Sequence, residues 1–216
     1  MLIIKNLSKS YKTKSGRHYV FRNVSIEFPE NSNIGILGRN GSGKSTLLRI
    51  LGGIDYPDSG TISCDKTISW PLGLRGGFVK NLSGRDNCQM ICNLYGIERH
   101  AIKRKLEYIK EICGIGKYFD EPVKYYSSGM ASRLGFSLSM AFDFDILLMD
   151  EITSVGDQDF RKKAKQMIEE KRGTTNIIFV SHSASTVREF CDVGIVIKKG
   201  ELCYYEDIEK AISSYE

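Results

Sequence analysis

The stretch Asn33-Ile34-Gly35-Ile36-Leu37-Gly38-Arg39-Asn40-Gly41-Ser42-Gly43-Lys44-Ser45-Thr46-Leu47-Leu48-Arg49-Ile50-Leu51 decides the fold. Its first five residues form a short apolar run suited to a buried strand; the run stops at Gly38, and apolar character returns from Thr46 at helical spacing. Between them, Gly38 to Ser45 matches G-x-x-x-x-G-K-[ST], and strand-then-helix is the setting in which that pattern cradles phosphate. A triphosphate is densely anionic and must be wrapped by donors that can approach closely. Glycines at 38, 41 and 43 permit a tight loop whose backbone N–H groups face inward. The helix starting near Lys44 adds the positive end of its dipole. Lys44 supplies a full charge to the β/γ oxygens, and the Ser45 hydroxyl is suited to ligate Mg²⁺. Average composition produces such a pattern by chance about once per hundred chains of this length, and the flanking strand and helix make chance rarer still. The expectation is a nucleotide site formed by Gly38, Arg39, Asn40, Gly41, Ser42, Gly43, Lys44, Ser45 and Thr46, with ATP and Mg²⁺ as its ligands.

Working outward, the residues before this stretch read as short strands, Leu2–Asn6 and Tyr19–Phe28. After it come a turn at Pro57-Asp58-Ser59-Gly60 and a strand at Thr61–Ser63. From about Asn81 to Ala141 helical periodicity dominates, in 86–95, 101–113 and 128–141. Strands and helices then alternate: strands at 145–149, 176–180 and 194–197, helices at 159–171 and 184–190, and a hairpin at Lys198-Lys199-Gly200-Glu201 leading into 202–205 and a short closing helix. The alternation predicts a mostly parallel α/β sheet of the P-loop NTPase type. The N-terminal strands predict an antiparallel β subdomain. The chain reads as one domain, 1–216, with an α/β core from 1–77 and 142–216 and a helical insert at 78–141.

With 216 residues, 41% hydrophobic and 26% charged, the chain has the composition of a globular protein able to bury a core. No run nears the ~18–20 apolar residues of a membrane span, and the first residues lack a charged-then-apolar leader pattern, so the chain is expected to remain in the cytoplasm. The six cysteines form no CxxC pair and no Cys/His zinc spacing, which favours reduced, mostly buried thiols. A net charge of +5 is mild, and clusters such as Arg161-Lys162-Lys163 read as solvated helix faces rather than a nucleic-acid tract.

A second chemical element is Ile146-Leu147-Leu148-Met149-Asp150-Glu151, an apolar strand ending in two acids. A strand ending in Asp-Glu is common by itself; after a phosphate loop, Asp150 is expected to hold Mg²⁺ and Glu151 to orient or deprotonate the attacking water. Tyr126-Ser127-Ser128-Gly129-Met130 opens a helix upstream of it. Ser154-Val155-Gly156-Asp157 follows directly, and His182 stands just after the strand 176–180. Phosphate loop, glycine-bearing helix start, acidic strand, Asp157 and His182 in this order resemble the ABC-transporter ATPases over essentially the whole chain.

That resemblance implies a division of labour. Ser127, Ser128 and Gly129 form a signature loop that serves the ATP of a facing copy, so that two ATP molecules join a head-to-tail homodimer. Lys44, Glu151 and His182 act on the γ-phosphate and its water, Asp157 bridges the subunits, and Tyr11 stacks on adenine. Two departures stand out: Ser128 and Met130 replace the usual Gly and Gln of the signature, and Trp70-Pro71-Leu72-Gly73-Leu74-Arg75-Gly76-Gly77-Phe78 lacks the Gln that the family uses near Mg²⁺. This Trp-Pro-Leu-Gly segment, Gly52-Gly53-Ile54-Asp55, the signature and the segment 154–157 are similar to the ATP-binding subunits of group 2 capsular-polysaccharide exporters of Gram-negative bacteria. The resemblance implies integral membrane permease subunits as partners, lipid-linked polysaccharide as cargo, no nucleic acid, and a peripheral place on the cytoplasmic face of the inner membrane. Trp70 and Gly73 are expected to line the groove for a permease helix. O-antigen or teichoic acid export is the main rival. A soluble ABC motor would need a coiled-coil insertion or a second ATPase half, and a P-loop kinase leaves Ser127–Gly129 and His182 unexplained.

Overall fold

The computed structural model describes residues 1–14, 16–71, 77–150, 156–181 and 183–215. Their contacts divide the chain into two units: Met1–Pro71, Phe144–Glu151 and Arg172–Glu216 form the first, Leu72–Asp143 and Ile152–Lys171 the second.

The first unit carries two sheets. Strands β1 (Leu2–Thr13), β2 (Gly16–Phe28) and β4 (Ser59–Cys64) form an antiparallel sheet in the order β2-β1-β4. The other sheet contains β3 (Ile34–Gly38), β5 (Ile146–Asp150), β6 (Asn176–Val180), β7 (Val193–Lys198) and β8 (Glu201–Tyr205), in the order β5-β6-β3-β7-β8. All its pairings are parallel except the β7–β8 hairpin. That hairpin turns on Lys199 and Gly200, both at positive φ, as a two-residue turn requires. The expected P-loop α/β architecture with an antiparallel β subdomain is present. One strand is longer than its sequence suggests: β1 continues past Asn6 to Thr13. Asn6 has φ 52°, and the register with β2 shifts between Ile4 and Leu7, so the inside–outside alternation is broken where a bulge inserts a residue.

Strands β3 and β7 are buried along most of their length, and helices α1 (Lys44–Leu51), α6 (Ala184–Phe190) and α7 (Ile208–Tyr215) also belong to this unit. The partnered Gly35 of β3 and Gly194 of β7 make room for α7. A Cβ on Gly35 would meet Val187 Cγ1 at 2.4 Å and Ile208 Cδ1 at 3.1 Å, and one on Gly194 would meet Ala211 Cβ at 2.2 Å. One core gathers Leu2, Ile4 and Phe21 from the antiparallel sheet with Ile36, Leu148, Ile178 and Ile195 from the parallel one, and with Leu47 and Leu48 of α1.

The second unit is helical: α2 (Gly84–Leu94), α3 (Arg99–Cys113), α4 (Ser128–Met140) and α5 (Gln158–Lys171), with 3₁₀ turns at Gly116–Asp120 and Val123–Tyr125 that the sequence did not mark. It is larger than the segment 78–141, because α5 packs into it, Phe160 meeting Phe136 edge-on at 5.7 Å. The turn entering α2 is held by the fully buried Asn87, whose amide bonds to Val79 O, Leu82 O and Ser83 O and accepts from Val79 N. All six cysteines are free thiols, four buried, and desolvation pushes Cys88, Cys113 and Cys191 up from the ordinary thiol range. Among the described residues no helix is long and apolar enough to cross a membrane.

Candidate functional site

The phosphate loop leaves the sheet at Gly38, the last residue of β3, and enters α1 at Lys44. Gly41 and Gly43 both take positive φ, and at Gly43 (107°) a Cβ would lie 2.5 Å from Val20 Cγ1 and 2.8 Å from Phe21 Cζ, so the loop is seated on β2 by backbone alone. Ser42 N donates to Arg39 O (3.0 Å) and Leu47 N to Gly43 O (2.8 Å), closing the loop and starting the helix. Arg39 and Asn40 are exposed at its rim.

Lys44 is buried, and its ammonium donates back to Gly38 O (2.5 Å) and Arg39 O (3.2 Å), folded across the loop it would share with a phosphate. Among the described residues the buried Ser42 hydroxyl has no hydrogen-bond partner. A buried polar atom left without a partner is rare in a folded chain, and here it lies in the loop that the motif assigns to an oxygen-rich ligand. In the first turn of α1, Ser45 donates to Asp150 Oδ2 at 3.1 Å. A hydroxyl and a carboxylate side by side are hard oxygen donors of the kind Mg²⁺ takes when phosphates and waters complete its shell. Among the described residues no cluster of three or more His, Cys, Asp or Glu could hold a metal by itself. Ser45 and Asp150 therefore fit a magnesium ion that arrives with its nucleotide.

Strand order explains the meeting. β6 lies between β3 and β5, and Ile36 and Asp150 are both register partners of Val180, so phosphate loop and acidic strand end at the same edge of the sheet. Ligands of open α/β sheets bind beyond the carboxyl ends of the strands. Glu151 and His182, which follow β5 and β6, lie outside the described residues, as do Ser154 and Gly73.

Tyr11, on β1, is 38% exposed. Its hydroxyl donates to Asp55 Oδ2 (2.7 Å) and also bonds to the Thr46 side chain of α1, which brings Tyr11 beside the phosphate-loop helix. Burial and the Asp55 carboxylate raise its phenol above the ordinary range. Asp55 in turn receives the buried Lys9 ammonium (2.6 Å) and Tyr56 N (2.8 Å). Its burial opposes ionisation, but the bonds from Lys9 and Tyr11 prevail and hold its carboxyl below the usual carboxylate range. Lys9 and Asp55 were not among the expected site residues. Asp55 falls in a quoted motif, while Lys9 is hidden in a strand segment that the sequence reading leaves out.

The signature residues gather in the helical unit. Ser127 caps α4, its hydroxyl accepting from Met130 N (3.2 Å); Ser128 is the first helical residue, and a Cβ on Gly129 would make an ordinary contact with Ser127 Oγ at 3.8 Å. Tyr126, just before the cap, donates to Tyr118 O (2.6 Å), and burial lifts its phenol to about 12. Ser127, Gly129, Met130, Tyr118, Arg133 and Asp157 are among the residues lining a pocket of about 280 Å³. Asp157 accepts from Phe160 N (3.0 Å) at the start of α5 and pairs with Arg133, whose guanidinium also lies 5.1 Å from the Phe160 ring centre. Its carboxyl is held below the ordinary range by the Phe160 amide and then by Arg133. Arg133, six residues after Ser127, was not anticipated, since nothing in the sequence pairs it with Asp157.

The ABC transporter family model matches residues 21–154. The chain is 50% identical to the polysialic acid transport ATP-binding protein KpsT of Escherichia coli, over all of this chain and 96% of that one. It is 42% identical to the capsule polysaccharide export ATP-binding protein CtrD of Neisseria meningitidis serogroup B, over all of this chain and 98% of the relative. Among solved structures, the post-hydrolysis dimer of the ATP-binding cassette MJ0796 bound to ADP and Pi superposes with a TM-score of 0.80 at 22% identity, covering 96% of this chain and 99% of that one, a likeness of fold. The chain belongs to the ABC transporter family, as one of its ATP-hydrolysing cassettes.

Proposed function

We propose that this ATPase powers export of a capsular polysaccharide across the bacterial inner membrane, from its cytoplasmic face and through separate permease subunits. The observation that carries its chemistry is the Ser45–Asp150 contact at the mouth of the loop that Lys44 closes. Full-length identity to a polysialic acid transport protein and to a capsule polysaccharide export protein supports the cargo class. O-antigen and teichoic acid export share this engine and differ in cargo.

In this reading Lys44 leaves its carbonyl tethers for the β/γ oxygens of ATP, the phosphate loop supplies backbone N–H donors, and Ser42 gives its unused hydroxyl. Arg39, Asn40 and Thr46 border the bound nucleotide, and Tyr11, oriented by Asp55, stacks on adenine. Magnesium held by Ser45 and Asp150 would neutralise charge building on the phosphates. Glu151 and His182 orient the attacking water, and Glu151 takes its proton. Ser127, Ser128 and Gly129 of a second copy donate from their helix start to the outer side of the γ-phosphate, and Asp157 bridges the two copies.

The test is one pair of variants. Glu151→Gln should bind ATP, hydrolyse it slowly and accumulate as a dimer; Lys44→Ala should fold, bind ATP at least about a hundredfold more weakly for want of a charge-assisted bond, and leave polysaccharide inside the cell. Only monomer for Glu151→Gln with ATP would remove the two-copy engine. Normal surface polysaccharide with Lys44→Ala as the sole copy would remove the cargo.

A further inference from the structure

The net charge of +5 is unevenly placed. The first unit carries 15 Lys/Arg and 15 Asp/Glu, the helical unit 16 and 11, so the whole excess belongs to the helices. Part of it stands in the first two turns of α3, where Arg99, Lys103 and Arg104 are exposed, with His100 exposed beside them; a second basic run is Arg161, Lys162, Lys163 and Lys165 of α5. The acids of α3, Glu107 and Glu111, come in its second half, and no acid stands in its first turn. This order is the reverse of what a helix dipole favours, so the helix's own stability does not account for it. Among the described residues Arg99, Lys103 and Arg104 form no ion pair, and His100 faces the equally exposed Glu98 at 3.3 Å. On the other arm of the same turn, Leu94 at the end of α2 is 76% exposed. Tyr95 follows, half exposed, its ring centre 5.2 Å from that of Phe142.

An exposed leucine and tyrosine beside Arg99, Lys103 and Arg104 suit the surface of an anionic bilayer. The cations meet headgroup phosphates, the phenol sits at headgroup level, and the leucine reaches the acyl boundary. An acidic polypeptide would be served by the cations alone and leaves Leu94 unused, so the combination favours lipid. We propose that the α2–α3 turn is a lipid-contact surface that rests directly on an anionic membrane face, without the permease as intermediary. The inference deepens the peripheral placement proposed above and rests on it only in taking a membrane as the working surface.

The experiment sediments the full-length chain, without permease, with vesicles of phosphatidylethanolamine and phosphatidylglycerol, and separately with vesicles of phosphatidylcholine alone. The chain should pellet with the anionic vesicles, bind less as salt rises, and stay in the supernatant when mixed with the phosphatidylcholine vesicles. The triple variant R99E/K103E/R104E should bind at least about tenfold more weakly, and Leu94→Ser several-fold more weakly. Both should keep the parent's ATPase rate, since none of these residues belongs to the nucleotide or signature loops; that rate also shows that they fold. No binding by the parent, equal binding to phosphatidylcholine, or unchanged binding by the triple variant overturns the proposal. Binding that appears only when the permease is embedded overturns it too and assigns the surface to a protein. In each case the ATPase and its cargo stand; their failure would show in activity and export while vesicle binding persists.

Discussion

Replacing Ser69 with alanine tests how the acidic strand is held on its outer side. Residues 67–69 run along the open edge of β5: Ile146 N donates to Thr67 O (3.0 Å), Ser69 N donates to Ile146 O (2.9 Å), and Ile68 bridges Ile146 in parallel. At the next step the backbone acceptor is missing, and the fully buried Ser69 supplies its side chain instead. Its hydroxyl accepts from Leu148 N (2.9 Å) and donates to Trp70 O (2.9 Å). Leu148 is itself fully buried, so alanine strands its N–H away from water. Leaving a buried donor unmet costs about 1–3 kcal/mol, a sizeable part of a stability of roughly 5–15 kcal/mol. With a urea slope of about 2–3 kcal/mol/M, the midpoint should fall by roughly 0.3–1.5 M. The single tryptophan, Trp70, is the adjacent residue and packs edge-on against Phe144 at 5.3 Å, so its emission reports on this edge. A Ser69→Ala chain whose midpoint matches the parent's at equal slope would refute the reasoning, because Leu148 N must then have another acceptor.

The remaining predictions concern α7 and acid stability. Gly194→Ala drives a methyl into Ala211 and should cost about 1–3 kcal/mol as an overpacked core contact, read as a lower thermal midpoint; an unchanged melt would mean that α7 does not pack on β7 as described. Asp55 has a folded pKa below its ordinary 3.8, so its stabilising contribution is complete above that value and is lost as pH falls from there towards the folded pKa. Asp55→Asn should therefore be less stable than the parent at neutral pH, with the gap narrowing in acid titrations followed by circular dichroism. A gap that stays constant down to the lowest pH would mean that the Lys9–Asp55–Tyr11 cluster is not what the carboxylate stabilises.

Much of this architecture was legible because the informative residues are local. Gly38 to Ser45 carries loop, helix start and lysine in one stretch, and the apolar runs at 34–37, 146–149 and 176–180 are buried strands that need no partner to be recognised. What escaped depends on distant pairing. The continuation of β1 to Thr13 is concealed by the bulge after Asn6, which breaks the alternation that marks a strand. Lys9 and Asp55 are 46 positions apart, and their ion pair beside Tyr11 exists only once β1 carries Lys9 to the segment after α1. Asp157 was singled out for a partner in another subunit, whereas within the chain it already caps α5 and binds Arg133. Helix periodicity marks 128–141 as a helix but is silent on which polar side chain meets the start of α5.

The Arg133–Asp157 pair also bears on how the two phosphate-binding elements differ. In the α/β unit the phosphate loop carries the Lys44 ammonium, which donates to the Gly38 and Arg39 carbonyls. Among the described residues that line the signature pocket of the helical unit, the one lysine or arginine is Arg133, and it pairs with Asp157. The pocket therefore offers hydroxyls and helix-start N–H groups, which are directional and weak one by one. Such donors hold little free anion on their own but suit a γ-phosphate whose charge a lysine and a magnesium ion already balance. If two copies share a nucleotide as proposed, affinity would reside with one copy's Lys44 and geometry with the other's Ser127 and Gly129, and the signature side would engage only after ATP is bound. Under the two-copy engine proposed above, copies with this division would close on nucleotide and part once hydrolysis removes the γ-phosphate.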